Sequence, residues 1–109
     1  MDLPESDWKH LSRLKQLALD RLCQRILAET QALISTATAG EHHRVYLALY
    51  RQIHEQDQVV ADCFNDWRRK SAIFLLMHWR RQGLLTEEEF SGFSAETRTM
   101  VDGWLAQHG

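Results

Sequence analysis

Apolar positions recur along this chain at helical spacing almost from end to end. Trp8, Leu11, Leu14, Ala18, Leu19, Leu22, Ile26 and Leu33 fall on one broad face at about 100° per residue, which predicts a first helix over about residues 6–35. Asp2 or Ser6 is placed to cap it, with Glu5 completing a capping box with Asp2. Arg13, Arg21 and Arg25 sit at the margin of the face, where their long stems can cover apolar edges. STATAG, residues 35–40, holds poor helix formers and a glycine and reads as a short connection, so the next helix runs back antiparallel to the first.

From Glu41 to Gln82 there is neither glycine nor proline. Alternate steps of four and three pick out Tyr46, Tyr50, Ile53, Asp57, Val60, Phe64, Trp67, Ser71, Phe74 and His78, a heptad-like seam with polar interruptions. The pattern predicts helix over about 41–82, either straight or bent near Asp57 or Ser71. Gly83 then ends it. Thr86 and Glu89 form a capping box, Leu85 and Phe90 have staple spacing, and Gly92 stops that short helix (about 86–91). Ser94 caps a last one, about 94–107, with Met100, Val101, Trp104 and Leu105 as its apolar stripe. No segment alternates as a strand does. Residues 1–109 therefore read as one all-α domain, an antiparallel hairpin with short carboxyl-terminal helices in an up-down bundle.

Within the second helix, RRKSAIFLLMHWRR (68–81) places six consecutive apolar residues, Ala72 to Met77, between pairs of arginines. Level-matching across the hairpin sets Trp8 opposite about Arg68, so the first helix runs out where this stretch begins. The last helix can cover one side of it only. Leaving several such side chains in water forfeits about 1.5–3 kcal/mol each, a large share of a net stability of about 5–15 kcal/mol. Either the chain folds back near Ser71, or a straight helix is covered by a second copy. The seam crosses Ser71 without a residue that forces a break, which favours the straight helix and a C₂ homodimer. Phe64, Trp67, Ile73, Phe74, Leu76, Met77, His78 and Trp79 are then the candidate interface, with an unidentified protein partner as the second option.

Charge narrows the alternatives. Thirteen Lys and Arg against fifteen Asp and Glu give a net charge of −2, which argues against strong counterion-driven binding by the chain as a whole. Arg68, Arg69, Lys70, Arg80 and Arg81, beside Trp67 and Trp79, are the best candidates for nucleic-acid contacts. Only Arg69 and Arg80 align around the helix, however. Asp66 can pair with Lys70, and the acidic residues after position 82 can neutralise the rest. The acidic start MDLPESDWKH does not read as a signal peptide, and no segment approaches the roughly 18–20 apolar residues of a membrane span. The expectation is a soluble cytoplasmic protein with no membrane partner.

Six histidines and two cysteines raise the question of chemistry. His42 and His43 point about 100° apart, and His43 and His54 stand about 16 Å apart along an axis. Asp7-Trp8-Lys9-His10 is a single acid-x-x-His where carboxylate di-metal bundles need two. Cys23 and Cys63 fall roughly 15 Å out of level across the hairpin, too far for a disulfide, and both read as buried, reduced thiols. Asp62, Asp66 and Trp67 around Cys63 would raise its pKa. No two glycines lie close enough for a phosphate loop. The chain reads as a non-enzyme without metal, cofactor or catalytic residues, with His78 as an ordinary core or interface histidine.

The order ESDWKHLSRLKQLALDRLCQRILAE, HRVYLALYRQI, WRRKSAIFLLMHWRRQGLLTEEEFSGFSAET resembles a group of short all-helical bacterial proteins over most of the chain. That resemblance implies a bacterial, cytosolic, all-α protein and carries no functional residues. GLLTEEEF, residues 83–90, is similar to the turn of the SHOCT family of short oligomerising domains, although Gly92 interrupts the following helix and the lysine-rich continuation is missing.

Overall fold

The structure, a computed structural model, describes residues 2–108 and shows helices and turns with no strand among them. The first helix, α1 (Glu5–Ile34), carries Leu11, Ala18 and Leu22 fully inside, with Trp8, Leu14, Leu19 and Ile26 against the core. Its cap differs from expectation: Pro4 holds the N-cap position and no side chain caps it. Proline there fixes the entry dihedral instead. After a turn that uses Gly40 at φ +86° comes α2 (His42–Val60). Gln52 Nε2 donates to Thr30 Oγ1 at 3.1 Å, confirming the antiparallel hairpin.

The second helix does not run on to residue 82. It ends at Val60 and loosens into a π-helical turn (Ala61–Asn65), then an extended corner and a 3₁₀ turn (Arg69–Ser71), before α3 (Ala72–Arg81) starts. Asp66 (φ −91°, ψ 67°), Trp67 and Arg68 (φ −137°, ψ 146°) are the non-helical residues of the corner. Side chains replace the lost helical bonds. The Asp66 carboxylate accepts from Arg68 at 2.6 and 3.0 Å and from Ser71 Oγ at 2.5 Å. Arg69 donates twice to the Leu3 carbonyl, at 3.1 and 3.0 Å. The straight helix, and the Asp66–Lys70 pair expected within it, are thus replaced by a fold-back ending at Ser71.

That fold-back answers what covers the greasy run. From Arg69 beside Leu3 to Gln82, whose carbonyl accepts from Arg25 at 2.7 Å, α3 travels in the same sense as α1. Trp79 is fully buried, and its Nε1 donates to the Cys63 carbonyl in the π-helical turn at 2.8 Å. Around it Phe64, Trp67 and Trp8 form an aromatic column with successive ring centroids 5.4–5.9 Å apart.

Gly83, at φ +69°, turns the chain, and the next segment descends along α1. Arg21 donates to the Leu84 carbonyl and grips Glu89, and His10 Nε2 donates to the Glu89 carbonyl at 2.8 Å. Here α4 (Glu87–Ser91) starts with the Thr86–Glu89 capping box in full. At the foot, Asp7 accepts from the Ser94 backbone and hydroxyl and from Thr97, so a carboxylate from α1 completes the N-terminus of α5 (Ala95–His108). From there α5 climbs beside α3, with Trp104 edge-on to His78.

Candidate interaction surface

Together α3, α4 and α5 form a head on the first two-thirds of α1, up to Arg25: α3 and α4 lie against α1, and α5 lies against α3 and meets α1 at Asp7. Beyond that level α1 and α2 continue as a two-helix arm, and the molecule is 55 Å long but only 25 × 23 Å across. In this arm the face of α2 turned toward α1 is Val45, Leu49, Gln52 and Gln56, of which only Val45 is buried. The apolar seam points outward. Tyr46 and Tyr50 are 63% and 67% exposed, with Ile53 beside them; on α1, Leu27 is 66% exposed and Ile34 about half.

Helical geometry puts these residues on one flank. At about 100° per residue, Tyr46, Tyr50 and Ile53 lie about 75–135° around α2 from its α1-facing line, and Leu27 and Ile34 about 80–100° around α1 from the α2-facing line. Because the helices are antiparallel, both offsets turn to the same side of the hairpin. Ile53 and Ile26 flank one shallow groove there, with Gln56, Asp57 and Val60. The arm's strong charges (Glu29, Arg44, Arg51 and Glu55) fall on the opposite flank. Asp20 and Asp57 mark the inner end of the apolar flank, and His42 and His43 its tip.

The sequence-predicted interface lies elsewhere and is largely consumed by the fold. Phe64, Ile73, Leu76, Met77 and Trp79 are buried within the chain, and Trp67 and His78 are half-buried. Phe74 alone is well exposed, at 59%, beside a groove with Asp62, Asp66, Ser71 and His78. The fold-back covers those buried residues from within the chain. Tyr46, Tyr50, Ile53, Leu27 and Ile34, which the structure leaves exposed, are not among the residues expected at an interface. The periodic seam of α2 was the available signal, but periodicity defines a face and not what it faces.

The basic cluster is likewise engaged. Arg68 is bound to Asp66, Arg69 to Leu3, and Arg80 to Glu87 at 2.8 Å while covering the Phe90 ring at 4.0 Å. Lys70 and Arg81 are exposed. Arg68 and Arg69 thus hold the corner and Arg80 holds α4, each through a bond within the chain.

Among the described residues no group of three His, Cys, Asp or Glu is placed to hold a metal ion, and no helix is long and apolar enough to cross a membrane. Both cysteines are free. Cys23 is exposed, against expectation, because its position on α1 turns toward the uncovered flank; Cys63 is buried. Burial, reinforced by Asp62, pushes the Cys63 thiol up to about 11, which disfavours a thiolate. Burial would also raise the Asp7 carboxyl, but the bonds from Thr97 and Ser94 outweigh it and hold the group below the ordinary value. Asp7 is a structural anchor with its bonds filled. No family model, curated protein or solved structure matches the chain.

Proposed function

We propose that this protein is a small helical interaction module that self-associates through its projecting arm, with scaffolding rather than chemistry as its role. The observation that carries the reading is the arm's apolar, tyrosine-bearing flank, whose centre lacks Lys, Arg, Asp and Glu. Depletion of charge and enrichment in tyrosine at the centre of a patch mark interfaces, whereas a solvated helix face carries interspersed charge. Tyrosine also adds large contact area for the ordering of only two side-chain torsions. A cytoplasmic setting belongs to the same proposal, supported by the two free thiols. A bacterial origin rests on the sequence resemblance alone. Nucleic-acid binding through Arg68–Arg81 is the weaker reading, since three of its five cations are committed inside the chain.

Sedimentation over a range of concentrations tests the proposal. The expected result is a reversible dimer that Tyr50→Asp converts to a monomer of unchanged circular dichroism. Phe74→Asp, on the head, should leave the dimer intact. A wild-type chain that stays monomeric throughout the range would refute self-association.

A further inference from the structure

The outward seam of α2 is close to self-complementary. His43, Tyr46, Tyr50, Ile53 and Asp57 span an arc of only about 80° around the helix, and all five are exposed. His43 and Asp57 stand seven residues to either side of Tyr50, each about 10 Å from it along the axis. Tyr46 and Ile53 occupy the steps between. The seam therefore has an apolar centre, a carboxylate at one end and an imidazole at the other.

We infer that the arm's occupant is a second copy of this chain, laid antiparallel across a two-fold axis at Tyr50. The inference rests on the self-association proposed above and fixes its geometry. Turning one arm end for end about Tyr50 brings His43 level with Asp57 of the other copy at both ends of the seam. A parallel pairing sets Asp57 against Asp57 and histidine against histidine, and so forfeits both contacts. Antiparallel pairing instead gives an imidazole N–H facing a carboxylate twice over, with Tyr50 against Tyr50 at the axis and each Tyr46 near the opposite His54.

The area is sufficient. Tyr46, Tyr50, Ile53, Leu27 and Ile34 together expose roughly 500 Å², at the upper end of single patches on monomers. Burying that on both copies with its polar margin reaches the roughly 1,000 Å² that a specific interface needs. Two such hairpins form a four-helix bundle, with one head at each end. Gln52 and Gln56 would then lie inside the bundle, where Gln52 already has its partner in Thr30.

Disulfide trapping in a Cys23→Ser background tests the register, with the buried Cys63 left in place. Tyr50→Cys should give a covalent dimer on mild oxidation. Tyr46→Cys should give little, because the two copies of residue 46 are separated by about 12 Å along the axis, beyond the roughly 4.4–6.8 Å Cα spacing a disulfide requires. A charge exchange supplies the second reading: His43→Asp should weaken the dimer about tenfold by facing acid with acid, and adding Asp57→His should restore it. Equal trapping at residues 46 and 50 would overturn the antiparallel register while leaving self-association standing. A dimer indifferent to all four substitutions would overturn the arm as the interface, and a monomer in sedimentation would overturn both proposals.

Discussion

Glu89 ties α4 to α1 through both its side chain and its backbone. Its Oε1 takes the Arg21 guanidinium at 2.6 Å and the Thr86 backbone N–H at 2.8 Å, and its carbonyl takes His10. Arg21 is the main reason its carboxyl titrates at about 2 rather than 4.5; burial opposes this, and the Thr86 N–H adds to it. A carboxyl depressed by folding contributes stability that is present above pH 4.5 and is lost as pH falls toward 2. After allowance for solvent screening we expect about 1–2 kcal/mol from this group at neutral pH. Urea denaturation between pH 2 and 6 should show that loss in the wild type, and Glu89→Gln should flatten it; equal acid slopes would contradict the assignment. Trp79 makes a different kind of demand. Trp79→Phe removes the N–H that satisfies the Cys63 carbonyl at 2.8 Å in a fully buried site. Its expected cost is about 1–3 kcal/mol, seen as a lower denaturation midpoint. The sequence showed both residues, one in a capping box and one in an apolar run, but neither long-range partner is encoded in local spacing.

At the level of elements, what could be read from the chain and what could not divide along the same line. The caps at Thr86 and Ser94, the Gly83 and Gly92 stops and the inward face of α1 are local patterns, and each stands in the fold. The corner at residues 61–71 has no local signature, since neither glycine nor proline marks it. It persists because Arg69 reaches Leu3 and Trp79 reaches Cys63, contacts that exist only once the chain has folded back. Two glycines test how tightly the elements meet. A Cβ on Gly92 would lie 2.4 Å from His10 Nε2, where α4 crosses α1, while a Cβ on Gly103 within α5 meets nothing within 4 Å. Gly92→Ala should therefore cost about 1–3 kcal/mol, and much less in a His10→Ala background. Gly103→Ala should add about 0.5–1 kcal/mol by helix propensity alone. Thermal denaturation of the four variants would measure both; a Gly92→Ala cost unchanged by His10→Ala would place the clash elsewhere.

Across the whole molecule the core is unevenly distributed. The head holds the aromatic column, the α3 run and the tethers that Asp7, Arg21, Arg25 and Arg69 throw across it. The arm has one buried residue on α2 and Gln52–Thr30 as its polar bridge. Local opening follows the number of buried apolar contacts, and a two-helix hairpin has little core of its own. In dilute solution, amide hydrogens of residues 28–58 should exchange through openings of much lower free energy than those of α3 and the early turns of α1. If two arms pair along the Tyr46–Ile53 seam, burial of that seam adds the missing layer, so protection of residues 28–58 must rise with protein concentration while the head stays unchanged. Mass action requires that coupling for any interface confined to the arm. Hydrogen exchange read by mass spectrometry at two concentrations separates the cases: protection rising in residues 28–58 alone locates the interface on the arm, protection rising around Phe74 moves it to the head, and no rise anywhere means that the exposed tyrosines are not covered by another copy.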